Sequence, residues 1–193
     1  PFPHIKVYLE NNKLVKIEGG AKYGEGWRTL MNETKNLRYP DHQGNGLFWL
    51  WEVAIGTNPK YLRPKNAFTV KVGGTMIERR RSGVIHCGIG TTQRSASEDW
   101  AGKQGLPYGH MHVHLLFPTY EITTKTGEKL TVIKDGRITA LDDPEVRKIA
   151  AKYGDPDTLL KEDWIPPIPG INAPGDYWKN YAQDPFSYVK AHG

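Results

Sequence analysis

The stretch Gly109-His110-Met111-His112-Val113-His114, followed by the apolar run Leu115-Leu116-Phe117, leaves little freedom in what this part of the chain can become. Alternate side chains of a β-strand point to the same face. An extended backbone here therefore lines His110, His112 and His114 along one side. Imidazole is the commonest biological metal ligand, and three on one face need a cation to share or water to solvate them. Ahead of a core-like apolar run, a shared cation is the better account than an exposed strand that happens to carry histidines.

A further histidine interrupts the segment Val84-Ile85-His86-Cys87-Gly88-Ile89-Gly90, which reads as a short apolar strand running into a glycine turn. Alone, His86 would be read as a satisfied core residue. Beside the triple-histidine strand it becomes a candidate ligand. Cys87 adjoins it, but neighbours on a strand face opposite ways, so Cys87 is assigned to packing. It is the only cysteine, which excludes an internal disulfide framework and fits a reducing, cytoplasmic setting.

The 193 residues, 38% hydrophobic with six Trp and ten Tyr, describe a globular chain large enough to bury a core. No run of 18 apolar residues is present, so no membrane-crossing helix is expected, and no signal segment opens the chain. The opening Pro1-Phe2-Pro3 reads as a chain entered mid-stream, truncated or processed. The net charge of +5 is spread along the sequence. Arg79-Arg80-Arg81 lacks the interleaved aromatics of single-strand binders; it reads as a solvated edge or subunit contact, with Arg81 a candidate for holding a substrate carboxylate. Neither nucleic acid nor membrane is expected as a partner.

Ile5 to Glu10 and Leu14 to Glu18 read as strands of a hairpin turned by Asn11-Asn12. Trp27, Leu30, Met31 and Thr34 are spaced for an amphipathic helix over Glu25 to Leu37. Leu47 to Ile55 is the most apolar run. It contains Glu52, a carboxylate costly to bury unless a cation or hydrogen bonds compensate, and its aromatic neighbours favour an inward, functional side chain. Further strands are expected at Phe68 to Val72, Val84 to Cys87, Glu121 to Thr124 and Lys129 to Ile133, with a loop from Thr91 to Pro107. Asp143-Pro144 starts a helix, and a second spans about Asp157 to Lys161. The aromatics Trp164, Tyr177, Trp178, Tyr181, Phe186 and Tyr188 mark a tail that wraps over a partner or another part of the molecule. The expected fold is α+β: a mixed, largely antiparallel sheet, a few helices and an extended aromatic C-terminal tail. Residues 1–140 form the metal-binding domain and 141–193 the helical segment and wrapping tail.

The segment from Leu9 through Glu10-Asn11-Asn12 to Gly19-Gly20 resembles the hairpin opening the C-terminal half of the aminopeptidase T (leucyl aminopeptidase-like) metallopeptidases, whose relatives include the 2,5-dihydroxypyridine dioxygenases. Glu52-Val53-Ala54-Ile55-Gly56-Thr57-Asn58-Pro59 is similar to that family's E-x-G-I-G-T-N-P. Ser82-Gly83-Val84-Ile85-His86 resembles its A-G-T-V-H, and Met111-His112-Val113-His114 its I-H-W-D. The resemblance spans residues 5–139 and only the family's C-terminal half. It implies that Glu52, His86, His112 and His114 bind metal, a pair of ions in the peptidases or one iron in the dioxygenases. His114 stands where the family has Asp, and Gln93 where the peptidases have a tyrosine supporting catalysis. The family's upstream glutamate would have to come from a separate chain.

Three imidazoles with Glu52 as fourth ligand or base suit Zn²⁺, Fe²⁺, Mn²⁺ or Ni²⁺. Such a site either activates water for hydrolysis of an amide-type bond or opens a hydroxylated ring with O₂. His110 either replaces His86 or shuttles protons. Trp49 and Trp51 form an aromatic wall for a small molecule or short peptide, with Gln93 nearby. Hydrolysis is the leading reading and ring-opening oxygenation the second. A cupin-like barrel and a non-catalytic metal-binding subunit of an oligomer are the others.

Overall fold

Asn11 and Asn12 both adopt left-handed backbone, with φ of 49° and 65°. Asparagine tolerates that region, and a two-residue turn of this hand matches the twist of the strands it joins. The result is the expected hairpin: β1 (Ile5–Glu10) pairs antiparallel with β2 (Lys13–Gly19), Glu10 opposite Lys13. The computed structural model describes residues 4–61, 80–93, 95–162, 167–171 and 173–192. The strand expected at Phe68 to Val72, Arg79 of the arginine cluster, and Trp164 lie outside those residues.

The chain forms two compact units, one from residues 1–53 and 87–113, the other from 54–86 and 114–193. In the first, α1 (Ala21–Thr34) follows the hairpin directly. It starts four residues before the apolar spacing predicts, because Gly24 donates to the carbonyl of Gly20 and closes a first turn that carries little apolar signal. It also ends three residues short of Leu37. Thr34 donates its hydroxyl to the Leu30 carbonyl at 2.8 Å, and the Leu37 N–H bonds back to Thr34 O, a tighter turn than the helix continues. The helix lays Trp27, Leu30 and Met31 on a core of Leu14, Ile17, Tyr39, Leu47, Phe48, Ile89, Ala96 and Ala101. Leu47 has no exposure. Leu47→Ala is expected to cost about 2–5 kcal/mol of folding free energy, measured by urea denaturation; a loss below 1 kcal/mol would contradict its place in that core.

The segment Thr91 to Pro107, expected as a loop, contains α2 (Glu98–Lys103). Six residues are too few to show a helical period, but the capping chemistry is complete. The Ser97 hydroxyl accepts from the Trp100 N–H, Glu98 and Asp99 occupy the first turn and Lys103 the last, each placed to complement the helix dipole.

In the second unit, β6 (Tyr120–Thr123), β7 (Lys129–Lys134) and β8 (Arg137–Ile138) form an antiparallel sheet in that order. Asp135-Gly136, both at positive φ, turns β7 into β8 by the device used at Asn11-Asn12. A 3-10 turn (Thr139–Asp142) leads to α3 (Pro144–Ala150), and α4 (Pro156–Leu159) follows. The Asp143 and Asp155 carboxylates cap these helices by accepting backbone N–H groups, with proline in the first turn.

Asp184-Pro185 repeats that signal and starts α5 (Pro185–His192), its carboxylate accepting from the Ser187 N–H. A π-helical turn at Trp178–Ala182 precedes it. The tail expected to be extended is therefore largely helical over these residues. Its aromatics pack edge to face, with centroids 5.5 Å apart for Tyr177 and Trp178 and 5.4 Å for Tyr181 and Tyr188. Helices and antiparallel sheets together make the fold α+β, as expected. Among the described residues no helix is long and apolar enough to cross a membrane.

Candidate metal centre

A third sheet has the order β3 (Leu50–Ile55), β4 (Ile85–Gly90), β5 (His110–Leu115). Gly56 N–H bonds to Val84 O at 2.9 Å and Gly90 N–H to Trp49 O at 3.0 Å. As one chain number falls the other rises, so β3 and β4 run antiparallel. Glycine alternates with His86 along the central strand, at positions 88 and 90. A Cβ on Gly88 would stand 2.9 Å from the Trp51 ring, and one on Gly90 would strike the Gly109 carbonyl. These two bare positions let flanking strands close over β4. In sequence these glycines read only as a turn, although their period of two with His86 is the available signal.

His86 is buried, His114 half-buried and His112 exposed; one ring nitrogen from each lies within 4.8 Å of the others. The rings of His86 and His114 have centroids 4.6 Å apart. These three imidazoles can hold a metal ion. The donor set also fits one chemically: three neutral nitrogens of borderline softness suit the later first-row divalent ions.

Glu52 lies beside this group, its Oε2 3.8 Å from His112 Nε2, both side chains about 30% exposed. The carboxylate is thus neither deeply buried nor among the three clustered donors. Cys87 is outside the cluster as well. Burial, and secondarily the charge of Glu52, push its thiol pKa up, so it stays a neutral thiol suited to packing.

His110 shares the strand but not the cluster. Its Nδ1 lies 2.9 Å from the Thr91 carbonyl. A carbonyl only accepts, so Nδ1 is the donor. That Nε2 is buried and has no hydrogen-bond partner among the described residues. The ring stands 5.0 Å from Trp51 and 4.8 Å, edge-on, from His112. Of the two alternatives for the cluster, the structure brings in His86 rather than His110.

The expected substrate-facing residues part company. Trp51 is 38% exposed and beside His110. Trp49 is 9% exposed, donates its indole N–H to Asn45 O and lies under the Lys13 ammonium; it is a core residue of the first unit. Arg81, expected at a solvated edge, is 6% exposed in the turn where Ser82 N–H bonds to Asn58 O. Gln93 is exposed beyond the end of β4. Leu115 and Leu116, which looked core-like, are 44% and 41% exposed. Comparison with known protein families, curated proteins and solved structures finds no match for this chain.

Proposed function

We propose that this chain is a metal-dependent enzyme that hydrolyses an amide-type bond, with His86, His112 and His114 holding one divalent ion. The observation carrying this reading is the convergence of three imidazole nitrogens within 4.8 Å of one another. When bound, such an ion supplies Lewis acidity and makes water a competent nucleophile near neutral pH. Glu52, 3.8 Å from His112, is placed beside the accessible end of the cluster to accept a proton from attacking water. The exposed Trp51 ring offers an apolar surface to a side chain of a short peptide or to a small aromatic molecule. The family resemblance points to the same residues.

A second reading is ring-opening oxygenation at a single iron. It is favoured by the donor set itself: among the described residues no carboxylate joins the three histidines. The two are separated by protein purified without chelator or nickel resin. Hydrolysis predicts bound zinc or a similar ion and release of amino acids from short peptides, abolished by chelation. Oxygenation predicts one oxidisable iron per chain and O₂ uptake on a dihydroxylated ring. Protein that binds metal stoichiometrically but turns over neither substrate class sinks both readings in favour of a non-catalytic subunit.

A further inference from the structure

Glu162 is a carboxylate with only 2% of its side chain exposed, and it is held from both sides. Ser82 donates its hydroxyl to Oε1, and Arg137 donates to Oε2 at 3.1 Å. The remaining nitrogens of Arg137 are taken by Asp142, at 3.0 and 2.6 Å. A carboxylate this far from water persists only where its charge is matched and its oxygens are bonded, so the four side chains stand or fall together.

What they join is the entry to β4. Ser82 is fully buried and lies four residues before His86. Between them Gly83 is interlocked with the β7–β8 turn, since the Gly136 carbonyl occupies the place where its Cβ would be. Ser82 N–H bonds to Asn58 O and Gly83 N–H to Gly56 O. Backbone bonds therefore pin this corner on one side, and the Glu162 carboxylate pins it on the other.

We propose that Glu162 is a positioning residue for the metal centre. Through Ser82 it fixes where β4 starts, and so the 4.6 Å approach of the His86 ring to His114. This rests on the metal-centre reading above. The test compares the full chain with Glu162→Gln and Ser82→Ala, first metal-free by amide hydrogen exchange, then by titration with Co²⁺ alone. In Glu162→Gln, exchange over residues 85–90 accelerates about tenfold while the β1–β2 hairpin is unchanged. Co²⁺ affinity falls about tenfold, as for other residues that orient a ligand from outside the coordination sphere, and the visible absorption of bound Co²⁺ changes. Ser82→Ala gives smaller changes in the same direction and carries the test if Glu162→Gln does not fold. Unchanged exchange in β4, a rise spread evenly over the whole chain, or identical Co²⁺ affinity and spectrum overturns the proposal alone. No Co²⁺ uptake by the unaltered chain overturns the metal-centre reading, and this proposal with it.

Discussion

His112→Ala lowers divalent-metal affinity by more than about 100-fold and leaves the metal-free fold intact. The magnitude follows from comparison: partners that merely orient a metal-bound histidine are worth about 10–100-fold, and a donor is worth more. The fold survives because His112 is exposed, and exposed substitutions away from special backbone usually stay within about 0.5 kcal/mol. His86→Ala loses the same affinity but also costs about 2 kcal/mol or more of stability, because this ring is 2% exposed and its removal leaves a hole. His110→Ala keeps the metal, since its nitrogens face the Thr91 carbonyl and a buried position outside the cluster. Thermal unfolding with and without Zn²⁺ reads all three. A ligand at about 100 times its Kd stabilises by about 2.7 kcal/mol, so the zinc-dependent rise in Tm persists in His110→Ala and vanishes in the other two. A rise that survives His112→Ala and is lost in His110→Ala would break the assignment.

That division among three histidines of one strand marks where sequence reading stops. Period two places residues 110, 112 and 114 on a common face. It does not say which two meet a fourth from elsewhere. His86 is a candidate only beside the triple-histidine strand, and its match with His114 depends on strand pairing, which sequence alone leaves open. Trp49 and Trp51 share parity yet differ in burial, because Trp49 precedes β3 and bridges to Lys13 of β2. Of the three Asp-Pro helix starts, Asp143-Pro144 is plain from local chemistry; the helix begun at Asp155-Pro156 is expected slightly late, from about Asp157, and the one begun at Asp184-Pro185 is submerged in a tail whose Pro and Gly content reads as extended. Ser97 signalled α2 as clearly, but too short a helix followed to show a period. Glu162 and Ser82 are 80 residues apart; no local pattern announces a carboxylate that becomes buried only after distant segments meet.

The same corner of β4 supports the largest stability change expected from a single methyl group. Gly83 has φ of +76°, where a residue with a Cβ pays about 1–3 kcal/mol for its backbone alone. The added carbon would also be driven into the Gly136 carbonyl. That obstacle is backbone in a tight turn, so no rotamer change relieves it, and crowding of this kind costs about 1–3 kcal/mol more. Gly83→Ala is therefore expected to lose about 2–6 kcal/mol, a large share of a typical domain's stability of about 5–15 kcal/mol. Gly127 supplies the control: its φ is +85° with nothing within 4 Å of a built Cβ, so Gly127→Ala pays for backbone conformation only. Urea denaturation of both variants separates strain from collision by difference. If Gly83→Ala costs no more than Gly127→Ala, the interlock with Gly136 bears no weight, and the entry to β4 is free to shift His86 without penalty.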